Sequence, residues 1–146
     1  MGSLKAAFFK GTKTGLPGIY NRGVRFIDKG PYSHCELVCS GGICGSSSFM
    51  DGGVRLKYIQ FDTENWDFLN LPSEKENLAL WWFIDHYGCE YDTLGNGRFL
   101  CGLIGNSPDR WFCSEALAAS LGLKDPWRYG PNGLYLVLKE LYGHLN

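Results

Sequence analysis

Residues 32–39, YSHCELVC, alternate in character: Cys35, Leu37 and Cys39 fall on one side of an extended chain, and His34, Glu36 and Val38 on the other. A period of two with one apolar face and one partly polar face predicts a strand. The SGG at 40–42 is a hairpin signal, and ICGSSSFMDGGVRLKYIQF then reads as a second strand, a Gly52-Gly53 turn and a third strand through Phe61. Together they form an antiparallel meander. The short apolar run WDFLNLP at 66–72 suits another strand that stops at Pro72.

The period then changes to that of a helix. Ser73 reads as its N-cap, Glu76 as the capping-box partner three residues on, and Leu78, Trp81, Trp82 and Asp85 follow along the next turns until Gly88. A second helix is predicted from Cys113 to Gly122, and a third over NGLYLVLKELYG with Asn132 as cap and Gly143 as stop. The first thirty residues hold Gly11, Gly15, Pro17, Gly18, Gly23 and Gly30, a density that predicts short strands or extended pieces joined by turns. The glycine- and aromatic-rich stretch YGCEYDTLGNGRFLCGLIGNSPDR keeps no steady period and reads as loop with short irregular pieces. The expected architecture is therefore α+β: an antiparallel sheet or partly open barrel packed against about three helices. With 146 residues and 45% hydrophobic content, the chain can build one real core, and a single domain is expected over 1–146.

Charge narrows the partners. Fourteen basic against fifteen acidic side chains, with no basic run, argue against nucleic acid and anionic membrane surfaces. No stretch approaches the roughly 20 apolar residues of a membrane span, and the first residues lack the charged start and apolar run of a secretory leader. Gly2 is followed by Ala6 where myristoylation favours Ser or Thr, so no lipid anchor is expected. A cytoplasmic protein of bacterial or phage type is the expectation. The six cysteines then read as free thiols. Cys35, Cys39 and Cys44 beside His34 bring zinc to mind, but the spacing is not that of paired ligands and no second pair follows. Neither metal nor cofactor is expected.

Among the thiols, Cys113 stands at the start of a predicted helix, where the dipole favours thiolate and the free N–H groups of the first turn could cradle an oxyanion. The plain alternative is a small buried hydrophobe. Of three histidines, His144 lies near the end of the chain and His86 in the last turn of a helix, where a cation complements the dipole. His34 is on a strand face with Glu36 two residues on, so imidazole and carboxylate project to the same side and can share a hydrogen-bond network. Asp92 is explained as a turn residue, and Glu115 as a carboxylate in the first turn of the Cys113 helix.

PYSHCELV, YDTLG, RWFCSEAL and GPNGLYLVL, in that order, resemble the circularly permuted papain-like cysteine hydrolases, the permuted NlpC-type branch that includes YiiX-like proteins. Members carry a Ser-His strand motif ahead of an aromatic-Cys-Ser-Glu helix motif, the reverse of papain order, and here His34 likewise precedes Cys113. The resemblance spans roughly residues 17–140. It implies a papain-like fold with permuted topology, Cys113 as nucleophile, His34 as the base that takes its proton, and hydrolysis or transfer at an amide or ester through a thioester.

The residue that orients the imidazole is open between Ser46, Ser47 or Ser48 on a neighbouring strand, a backbone carbonyl, and Glu36, which offers the stronger acceptor and is favoured. Tyr32 could line the substrate pocket or donate to an oxyanion, with packing as the alternative, and Trp111 is placed at the cleft rim or as an anchor of the helix start. The expected function is a cysteine hydrolase, amidase or peptidase-like, acting on a small-molecule, peptide or lipid-like substrate. The alternatives are a binding module on the same scaffold without turnover and an acyltransferase using the same thioester.

Overall fold

The computed structural model describes residues 2–91 and 110–146. Five strands make the body of an antiparallel sheet: β1 (Lys5–Phe9), β2 (His34–Val38), β3 (Ile43–Ser48), β4 (Gly53–Tyr58) and β5 (Trp66–Asn70). Two two-residue strands, β6 (Glu90–Tyr91) and β7 (Arg110–Trp111), extend it to the order β5-β1-β2-β3-β4-β6-β7, with β6 and β7 parallel. The sheet is open, with β5 and β7 as its outer strands. Among the described residues four α-helices accompany it: α1 (Leu16–Ile27), α2 (Glu76–Asp85), α3 (Cys113–Ser120) and α4 (Pro131–Tyr142).

The fold is α+β, and it departs from the sequence expectation in having α1. Glycine and proline density pointed there to extended pieces, yet Pro17 falls in the first turn of the helix, where a missing N–H costs nothing. Gly15 precedes it as N-cap at φ 70°. The capping box also turns out differently. Ser73–Lys75 is a 3-10 turn, α2 begins at Glu76, and the Glu76 carboxylate accepts from Ser40 N at 3.0 Å and Ser40 Oγ at 2.7 Å. Glu76 thus fastens the β2–β3 hairpin to the start of α2. In α4 the cap is Gly130, and Asn132 lies inside the helix with its side chain turned to other work.

The two faces of the sheet differ as the β2 alternation requires. Leu4, Ala6, Phe8, Cys35 and Leu37 are fully buried on the face that meets the helices. Against them lies α3, with seven of its eight residues buried, as suits a helix enclosed on all sides. Gly45 admits the close approach of α2: a Cβ there would meet the Phe83 ring at 2.6 Å. On the opposite face, Trp66, Phe9 and His34 pair across β5, β1 and β2 as one row. No helix among the described residues is long and apolar enough to cross a membrane.

Candidate active site

Cys113 is the first residue of α3, preceded by Phe112 in extended conformation as N-cap. Cys113 is 2% exposed, and the groups that act on its thiol are the imidazole of His34 and the thiol and backbone N–H of Cys35. Hydrogen bonding from Cys35 leads in pulling the Cys113 thiol well below its usual pKa, and the positive charge and hydrogen bond of His34 add to it against the cost of burial. The other buried thiols move the opposite way. Cys35 is pushed far up by burial and by the neighbouring thiolate, and burial takes Cys39 and Cys44 each up to about 11.

His34 opens β2, with 21% of its side chain exposed. Burial alone would favour the neutral ring, but the Cys113 thiolate and then Glu36 outweigh it and raise His34 to about 9. The imidazole Nε2 donates to Glu36 Oε1 at 2.6 Å, which leaves Nδ1 as the ring nitrogen for the thiol. The downward shift of the thiol and the upward shift of the imidazole both run toward a thiolate-imidazolium pair.

The three residues singled out as catalytic, Cys113, His34 and Glu36, therefore come together in one connected group. The serines weighed against Glu36 have other partners: Ser46 Oγ donates to Cys35 O at 2.7 Å, and Ser47 Oγ to Trp111 O at 2.5 Å. Ser48 lines the cavity described below.

Two other candidates fall elsewhere. Tyr32 is 5% exposed, its ring tilted against Phe8 and Tyr135 and its hydroxyl donating to Asp67 Oδ2 at 2.6 Å. This is packing in the core, the alternative to a pocket role. Trp111 is 8% exposed and meets Trp82 and His86 edge-on, with its ring centroid 4.9 and 5.4 Å from theirs. Among the described residues these contacts pack it against α2 and its C-terminal end. His86 stacks on Trp82 at 4.0 Å and donates from Nδ1 to Trp82 O, which keeps it within the packing of α2. Asp92 and Cys101, and most of YDTLG, lie outside the described residues.

Arg55 on β4 went unnoticed in the sequence. Its guanidinium is bidentate on Glu36, Nη1 donating to Oε2 at 2.6 Å and Nη2 to Oε1, while Nε donates to Asp51 Oδ2 at 2.7 Å. Arg55 holds the Glu36 carboxyl below its usual pKa although burial pushes it up, and Lys57 and Arg55 together take Asp51 down to about 2. The signal that could have found Arg55 is Glu36 itself, since a carboxylate on a buried strand calls for a cation.

The start of β2 is fixed by a clasp from α4. Asn132 Oδ1 accepts from Tyr32 N at 2.9 Å, and its Nδ2 donates to Tyr32 O at 2.9 Å and to Asp28 Oδ2 at 2.7 Å. Gly30 gives the amide its room, since a Cβ there would fall within 2.2 Å of Asn132 Oδ1.

A cavity of about 420 Å³ adjoins His34 and Glu36. Phe9, Trp66, Met50 and Ile59 supply apolar walls, and Arg55 with Asp51 a charged floor. Lys13 and Lys57 also line it, so cations outnumber carboxylates around an otherwise largely apolar space. No protein-family model matches the chain, and no curated protein matches it.

Proposed function

We propose that the protein is a cysteine hydrolase, amidase- or peptidase-like and of permuted papain-like type, in which Cys113 attacks and His34 moves the proton. The observation that carries this reading is Cys113 as first residue of α3 beside His34, whose Nε2 is gripped by Glu36, with the thiol shifted down and the imidazole shifted up.

The steps follow from that pair. The Cys113 thiolate adds to the carbonyl carbon of an amide or ester, and the N–H groups of the first turn of α3, which have no acceptor within the helix, would stabilise the oxyanion. As the bond to the leaving nitrogen or oxygen breaks, imidazolium passes its proton to that atom and an acyl thioester remains on Cys113. Neutral His34 then takes a proton from water, whose oxygen adds to the thioester carbon. The C–S bond breaks, the acid departs, and the thiolate-imidazolium pair is restored.

The test uses fluorogenic esters and amides with the wild type, Cys113→Ala and His34→Ala, together with mass spectrometry of the intact chain. Hydrolysis that both substitutions abolish, with an acyl adduct on Cys113, supports the proposal. An apolar ligand recovered equally from wild type and Cys113→Ala, with no adduct and no turnover, would replace it with the binding-module reading. Faster consumption when an amine or lipid acceptor competes with water would make the enzyme an acyltransferase.

A further inference from the structure

Glu36 is 1% exposed, and burial by itself drives a carboxyl toward the neutral acid. Neutral, it would offer an imidazolium far less than an anion does. Free to turn, it would have no reason to keep one oxygen on Nε2, since an i, i+2 pair on one strand shares a side without being forced into contact. Both requirements are met by one side chain two strands away. Arg55 pairs with Ser46 on β3, next to Gly45, the partner of Leu37 on β2, so a single small residue separates it from the Glu36 position. Ser46 turns its hydroxyl to Cys35 O, and the guanidinium passes over it to take both carboxylate oxygens in a planar fork.

We propose that Arg55 is a positioning residue of the Cys113–His34 site: its fork fixes Glu36 as an anion with Oε1 on His34 Nε2, and Asp51 fixes the guanidinium through Nε. This rests on the chemistry proposed above. Glu36 is faced by His34 on its own strand, Arg55 from β4, and the thiols of Cys35 on β2 and Cys44 on β3, while β1 sets uncharged Ala7 opposite it. Asp51 and Lys57 stand beyond Arg55, joined at 2.6 Å. Arg55 is thus the only cation besides His34 among these described neighbours that touches the carboxylate.

The experiment compares Arg55→Met and Arg55→Lys, each with Glu36 intact and with Glu36→Gln. Two signals are followed against pH: the Glu36 carboxyl carbon by NMR, and alkylation of the Cys113 peptide by iodoacetamide. In Arg55→Met the Glu36 midpoint rises by about one unit or more, and the acid limb of Cys113 alkylation rises with it, giving a loss of about tenfold on that limb while the alkaline plateau holds. Arg55→Lys, which keeps the charge without the fork, falls between the two. With Glu36→Gln in place, Arg55→Met leaves the acid limb where Glu36→Gln alone put it. An unmoved Glu36 midpoint, or the same shift of the acid limb in both backgrounds, overturns the proposal. If Arg55→Met does not fold, Arg55→Lys and Asp51→Asn are read by the same comparison. A wild-type Cys113 that alkylates like an ordinary thiol would sink the hydrolase reading instead, and the Glu36 titration would still decide the role of Arg55.

Discussion

A thiol at 2% exposure ordinarily keeps its proton, because burial penalises the thiolate; at Cys113 the Cys35 thiol, the His34 charge and the Cys35 N–H reverse that preference. Cys35→Ala removes one of these donors and leaves the other two. The midpoint of Cys113 alkylation should then move up by about one pH unit, a tenfold slower reaction on the acid side, measured site by site by mass spectrometry. An unshifted midpoint would mean that Cys35 contributes only packing. His34 carries its own pH signature. Its pKa is raised from 6.5 to about 9, so its contribution to folding stability is full below 6.5 and fades as pH rises through about 9. Turnover should follow the same limb, since above about 9 the ring has no proton for the leaving group. A pH-rate profile that stays level to pH 10 would exclude His34 as that donor.

At the level of elements, legibility tracked how local the cause was. The β2 alternation and the β3–β4 hairpin depend on near neighbours, and both stand in the structure, though the turn falls over residues 49–52 with Gly53 already in β4, and β4 ends at Tyr58 rather than Phe61. So does α3, whose start at Cys113 is set by an extended Phe112 just before it. By contrast, α1 was hidden because Pro17 and the glycines read as breakers until their position in the first turn is known. Glu76 was misread because its partner, Ser40, is on a hairpin far off in sequence. The same holds for Arg55 and Asn132, whose partners lie across the sheet or on another element. Asn132→Ala is the element-scale prediction. It leaves Tyr32 N–H and C=O and the Asp28 carboxylate without their amide partner, at a cost of about 2 kcal/mol or more. Urea denaturation would measure that loss. Because the clasp seats the residue two before His34, esterase rate per folded protein should also fall, which separates it from simple loss of stability.

Across the whole molecule, the open sheet does two jobs with its two faces. The helix-covered face buries the core and brings α3 to β2, while the row Trp66, Phe9 and His34 on the other borders the 420 Å³ cavity. The Trp66 ring stands 5.1 Å from that of Phe9 and, edge-on, 6.3 Å from the His34 imidazole, so apolar wall and imidazole are fixed to one another by strand register rather than by loops. Composition alone could not reveal this, since fifteen per cent aromatic content says nothing about which rings face a cavity. The apolar walls favour an apolar part of a substrate, whose burial would stabilise the complex by roughly 25 cal/mol for each Å² removed from water. Trp66→Ala, by taking away one wall, should lower kcat/KM for a long-chain or aromatic ester by about tenfold or more and leave that for an acetyl ester within about twofold. The ratio of the two substrates in one protein cancels any loss of folded enzyme. If both esters fall together, Trp66 supports the sheet and the substrate lies outside this cavity.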